Sequence, residues 1–141
     1  RLWLGWGGAA TFVDLSHSPE LAHAPRHAIK TRKAPENGLI VLASRRHCND
    51  ETEQYLSRLR HYTRQSAGSS LKFCLLAEGK ADLYPRMSPT MQWDTAAGDA
   101  ILRAAGGLVT TLDGAPLTYG RRETGFNSPW FIAVGDTTLH I

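Results

Sequence analysis

The residues of this chain best suited to chemistry are one carboxylate and a few phosphate-binding groups in its middle and second half. Asp94 follows Trp93 at the first turn of a helix marked by Trp93, Ala96, Ala97, Ala100, Ile101 and Ala104 at helical spacing. Backbone N–H groups and the helix dipole favour anions there, so that position suits a metal–phosphate complex. An acidic residue near a helix start is equally the ordinary choice for a cap. Ser69 and Ser70 offer hydroxyls and amides before an apolar segment, Lys72 offers a point charge, and Arg86 offers a planar fork that matches phosphate. Each has a plainer use. Ser69 serves as a helix cap, Lys72 and Arg86 as solvated or ion-paired surface groups, and His47 as a loop histidine.

Other features invite less. His17, His23 and His27 lie close in sequence but have neither cysteine nor a helical frame, and they make a poor zinc motif. Cys74 sits in an apolar segment as a small core residue rather than a nucleophile. Trp3 and Trp6 read as packing groups, and Gly7-Gly8 is too short for a phosphate-loop fingerprint.

Elements must position these groups. Leu2, Leu4 and Trp6 alternate with smaller residues, the pattern breaks at Gly7-Gly8 and resumes from Ala9 to Val13, which predicts two short strands at the edge of a sheet. Residues 15–37 have no sustained period and read as loop or irregular strand, with Lys30, Arg32 and Lys33 in a solvated stretch beside Pro35. Leu39 to Ala43 is a continuous apolar run, a strand buried on both faces. Asp50 and Glu53 have the spacing of a capping box, and Tyr55, Leu56, Leu59 and Tyr62 form one stripe, predicting a helix over about 50–63. Residues 70–78 are apolar nearly all round, a short buried helix ended by Gly79, and Ala81 to Pro85 reads as a strand. The helix after Trp93 runs to Gly106-Gly107, and its small residues permit close packing on a sheet. Leu108 to Leu112, Asp113-Gly114 and Ala115 to Tyr119 read as a hairpin, and Phe131 to Val134 as a last strand. This alternation implies an α/β layered domain.

At 141 residues, 42% hydrophobic and 21% charged, the chain has the composition of one globular core. No apolar run approaches the roughly 20 residues of a membrane span. Arg1 opens the chain without an initiator Met or signal-peptide core, so the start reads as internal to a longer protein. Two cysteines, Cys48 and Cys74, lack metal-ligand spacing and fit a reducing cytoplasm. The net charge of +3 is compatible with an anionic partner. No basic aromatic stripe or recognised fold signature occurs, which argues against a nucleic-acid binder. Nothing in the sequence signals an oligomeric state.

Trp93-Asp94-Thr95-Ala96-Ala97-Gly98, followed by Ala104-Ala105-Gly106-Gly107, resembles the carboxy-terminal signature of the inositol monophosphatase superfamily. A second block, Gly68 to Gly79 with Asp82-Leu83-Tyr84-Pro85-Arg86, resembles its branch of CysQ-type 3'(2'),5'-bisphosphate nucleotidases. The resemblance implies the layered sheet-and-helix carboxy-terminal part of the inositol monophosphatase-like α/β fold. It implies Asp94 as a Mg2+ ligand, Ser69, Lys72 and Arg86 as phosphate or nucleotide contacts, and His47 near the adenosine. The activity implied is Mg2+-dependent release of phosphate from adenosine 3',5'-bisphosphate, a small-molecule nucleotide, in sulfur assimilation. The implied location is the cytoplasm, with peripheral attachment to the inner membrane as an alternative.

The family's metal site also draws on a Glu-Glu pair and an Asp-Pro-x-Asp-Gly-Thr segment upstream of the matched region, and neither occurs in these residues. Asp113-Gly114 lies after the Trp-Asp helix and cannot substitute. The catalytic set is therefore incomplete in this chain, the chain by itself is expected to be inactive, and residues 1–14 are expected to be the cut edge of an upstream sheet. Two alternatives stay open: an inositol monophosphate or sugar bisphosphate phosphatase, and a non-catalytic nucleotide-binding domain.

Overall fold

Two antiparallel strands, β1 (Leu2–Trp6) and β2 (Ala9–Val13), are joined through Gly7 and Gly8, both in the left-handed region that a two-residue hairpin turn requires. The computed structural model describes residues 1–16, 20–44 and 49–139. The remaining elements among them are β3 (Arg26–Ile29), β4 (Leu39–Ala43), α1 (Asp50–Leu56), β5 (Tyr62–Ser66), α2 (Leu71–Ala77), β6 (Leu83–Arg86), α3 (Gln92–Ala104), β7 (Leu108–Thr111) and β8 (Phe131–Val134). They form a three-stranded sheet in the order β1-β2-β3 and a five-stranded sheet in the order β5-β4-β6-β8-β7.

Helices α2 and α3 pack on each other between the two sheets, with α3 against β1 and β2 on one side and β7 on the other. The close approach depends on small residues: a β-carbon at Gly5 would lie 2.8 Å from the Ile101 backbone and 3.0 Å from Ala104 Cβ. The large sheet is buried on both faces. Leu42, Tyr84, Phe131 and Ala133 meet the α2–α3 layer, while Val41, Leu83 and Val134 meet Leu56 of α1 with Tyr55 and Leu59. This two-sided burial is what the unbroken run at Leu39–Ala43 reflects. Buried Asp82 ties the layers together, accepting Arg32 Nε and Nη2 at 2.8 and 2.7 Å and Ile40 N at 2.7 Å.

Several expectations need correction. The first helix stops at Leu56 rather than 63, and Tyr62 starts β5, which runs parallel to β4 from Leu39↔Tyr62 to Ala43↔Ser66. The helical stripe was a burial signal, since Leu59 and Tyr62 pack against the same cluster as Leu56 from a turn and a strand. The cap of α1 is Asn49, whose Oδ1 accepts Thr52 N at 3.2 Å, one residue before the expected Asp50. Residues 26–29, within the stretch read as loop or irregular strand, form edge strand β3. The second hairpin arm shrinks to a bridge at Thr110↔Pro116, flanked by Thr111 N donating to Ala115 O at 2.8 Å and Leu117 N donating to Val109 O at 3.1 Å.

Candidate active site

A cleft of about 610 Å³ opens beside the carboxyl ends of β4, β5 and β6 and the first turns of α2 and α3. In open α/β sheets this is where ligands bind. Ser44 directly follows β4 and Ser66 ends β5, and both line it. Strands β4 and β6 pair in register only at Val41↔Leu83; beyond that point, Pro85 of β6 has no N–H to donate. Four of the five expected site residues, Ser69, Lys72, Arg86 and Asp94, line this one cleft. His47 lies outside the described residues.

Ser69 occupies the turn before α2 with φ 38°, a left-handed conformation unusual for a residue with a β-carbon. The helix cap is Ser70, and its side chain makes no capping hydrogen bond. Lys72 is almost wholly buried, at 1% exposure. Its ammonium donates to Ala67 O at 3.1 Å and Ser69 O at 3.0 Å and stands 4.8 Å from the Tyr84 ring centroid. Burial, and then the charge of Arg86, push its pKa down to about 8. Arg86 donates from Nε to Ser88 O at 3.3 Å and from Nη2 to Pro89 O at 3.0 Å. Neither cation is paired with a carboxylate among the described residues. Backbone carbonyls and the Tyr84 side chain hold both in place at the cleft wall, and no carboxylate among the described residues offsets their charges.

Exposed Asp94 is the third residue of α3. Its Oδ2 accepts Met91 N at 3.2 Å and the Thr90 hydroxyl at 3.3 Å, so it does serve the helix start as a cap-type acceptor. The carboxylate and the neighbouring hydroxyl are hard oxygen donors of the kind Mg2+ takes. Among the described residues no three His, Cys, Asp or Glu side chains gather as a cation site. Among the described residues lining the cleft, Asp94 brings the one carboxylate, which fits a single contact to such a cation. Of the three clustered histidines, His17 lies outside the described residues, His23 faces Glu20 at 3.0 Å and His27 stacks on Phe12. Cys74 is buried in the core, its thiol pushed up to about 11 by burial and then by Glu78.

Sequence reasoning did not single out Ser44, Ser66, Tyr84, Thr90 and Thr95 as cleft residues. A signal existed for the first two, since each closes a strand of the parallel pair. It becomes readable once β5 is recognised as a strand.

The inositol monophosphatase family pattern matches residues 5–135, and the chain belongs to that family. Within it, the chain is 47% identical over 95 residues to the 3'(2'),5'-bisphosphate nucleotidase CysQ of Escherichia coli K12, covering 67% of this chain and 39% of that protein. An uncharacterised protein of the pss 5' region of Rhizobium leguminosarum is 68% identical over 72 residues, covering 48% of this chain and 76% of that one. The crystal structure of CysQ from Bacteroides thetaiotaomicron superposes with a TM-score of 0.70 and 43% identity over 78% of this chain and 41% of the other. The chain therefore spans about two fifths of the length of these CysQ proteins. Among the described residues no helix is long and apolar enough to cross a membrane.

Proposed function

We propose that this chain is the carboxy-terminal domain of a Mg2+-dependent phosphomonoester hydrolase acting on adenosine 3',5'-bisphosphate in the cytoplasm, a step of sulfur assimilation. One observation carries the reading: Lys72 and Arg86, two cations held by backbone carbonyls and Tyr84 with no carboxylate partner among the described residues, face a cleft that also holds Asp94. Charges so arranged favour a ligand with more than one anionic group. In this reading Asp94 takes one coordination position on Mg2+, while Ser69, Lys72 and Arg86 hold the phosphates. His47, three residues beyond Ser44, joins them on resemblance alone. Bound Mg2+ would activate water and stabilise the leaving oxygen. Residues 1–14 supply the edge at which the amino-terminal part would continue the small sheet.

The test is phosphate release from adenosine 3',5'-bisphosphate with Mg2+, comparing the 141-residue chain with one extended upstream through the Glu-Glu and Asp-Pro-x-Asp-Gly-Thr motifs. Release by the extended form alone is the expected result. Hydrolysis of inositol monophosphate or a sugar bisphosphate instead would overturn the substrate. Nucleotide binding without turnover in both forms would make this a binding domain.

The pKa of Lys72 adds a pH dependence. Below about 8 its ammonium is charged and attracts the substrate, and above it the attraction fades. Substrate phosphates are fully ionised well above their pKa of about 6 and do not titrate in this window. Affinity for adenosine 3',5'-bisphosphate, measured by calorimetry from pH 7 to 10, is expected to fall through about pH 8 and to lose that step in Lys72→Met. A Lys72→Met profile with the same step would reject Lys72 as its source.

A further inference from the structure

Helix α3 begins without a Ser, Thr, Asp or Asn at its cap, where Met91 stands instead. Its start is secured from another part of the chain. Gln92 N donates to Phe126 O at 2.9 Å, Ser128 N donates to Thr90 O at 2.9 Å, and Met91 and Asn127 form an isolated antiparallel bridge. At the centre of this seam lies the side chain of Gln92, 4% exposed. Its amide oxygen accepts Gly120 N at 2.8 Å and Arg121 N at 3.2 Å, and its amide nitrogen donates to Asn127 O at 3.3 Å.

We infer that Gln92 is a positioning residue, whose buried amide fastens the Gly120–Ser128 segment to the first turn of α3 and so fixes where Asp94 stands in the cleft. The inference rests on the reading of Asp94 as a cation ligand. The Asp94 carboxylate is oriented by Met91 N and the Thr90 hydroxyl, and these two residues are the ones whose backbone is stitched to Asn127 and Ser128. The fastened segment is itself constrained. Phe126 has φ 61°, a conformation that costs a side-chain-bearing residue about 1 kcal/mol. It is held by Phe126 N donating to Arg121 O at 3.2 Å, by Phe126 O accepting Gln92 N, and by its ring against Trp93 at 5.9 Å between centroids. Strained residues persist where their surroundings over-determine them. Gly120 and Arg121 are exposed, so water can replace the amide of Gln92 as their partner. Loss of the fastening therefore loosens the helix start locally rather than unfolding the protein.

The experiment compares Gln92→Met, of similar length but without polar atoms, and Gln92→Glu, which keeps both acceptor contacts, in the upstream-extended protein. Hydrogen exchange reads the amides of Met91, Gly120 and Arg121, and calorimetry reads Mg2+ binding without substrate. Gln92→Met is expected to speed exchange at all three amides and weaken Mg2+ binding about tenfold, the size of an outer-shell loss. Gln92→Glu is expected to restore most of both. Faster exchange at Gly120 and Arg121 with unchanged protection at Met91 would overturn the inference, as would faster exchange spread evenly over α3 and β7. Asp94→Ala is the control for the underlying reading. If it leaves Mg2+ binding unchanged, Asp94 is no ligand, and exchange at Met91 alone decides whether Gln92 fastens the helix start.

Discussion

Asp94→Asn is expected to leave α3 capped and yet to cut Mg2+-dependent phosphate release by at least about 100-fold in the upstream-extended protein. Asparagine keeps a side-chain oxygen able to accept Met91 N and the Thr90 hydroxyl, the two contacts made by the native carboxylate. It lacks the negative charge by which a carboxylate binds a hard divalent cation. Asp94→Ala removes both functions and should lose about 1 kcal/mol of stability as well. Thermal unfolding and phosphate release on the same three proteins therefore separate cap from ligand. Native turnover in Asp94→Asn would assign this residue to the helix start alone.

The largest effect on stability is expected at Phe73. Its ring meets Tyr84 at 5.3 Å and Phe131 at 5.6 Å between centroids, and Tyr84 and Phe131 lie 5.4 Å apart, so three aromatic rings are in mutual contact. Helix α3 presses on this group through Gly98, where a β-carbon would lie 2.4 Å from Phe73 Cδ2. Phe73→Ala should lose about 4 kcal/mol, read by urea unfolding, as buried aromatic truncations do. Gly98→Ala should lose roughly 1–3 kcal/mol by overpacking, less a gain in helix propensity of about 1 kcal/mol. Combining the two should cost less than their sum, because the truncated ring no longer opposes the new methyl group. Strict additivity would show that Gly98 is set by something other than Phe73.

How far the chain could be read in advance varied with burial. Leu39–Ala43, residues 70–78 and the helix after Trp93 were legible because each buries a continuous or periodic apolar face. Strands β3 and β5 were not, for a shared reason. Both are sheet edges, and Arg26-His27 and Thr63 to Ser66 are exposed there, so neither alternation nor an apolar run marks them. Ser69, Lys72, Arg86 and Asp94 were singled out by residue type and resemblance, and all four line one cleft. The depth of Lys72 was not legible, since a lysine between Leu71 and Phe73 reads as a surface group until its ammonium is seen capped by two carbonyls. Gln92 escaped notice because its partners lie about thirty positions downstream, beyond any local pattern.

Strand β8 is the last of the large sheet in sequence, yet it lies between β6 and β7 and pairs with both. As the chain leaves the ribosome, four strands of that sheet are complete before the one that joins them exists. Until Phe131 to Val134 emerges, β6 and β7 each present an open row of amides and carbonyls, and the apolar groups destined for the ring cluster lack Phe131. Unpaired edges next to uncovered apolar surface are the species that associate wrongly and that chaperones retain. The order of strands in space thus sets a timetable in synthesis: the sheet that carries the cleft is closed by the strand made last of its five.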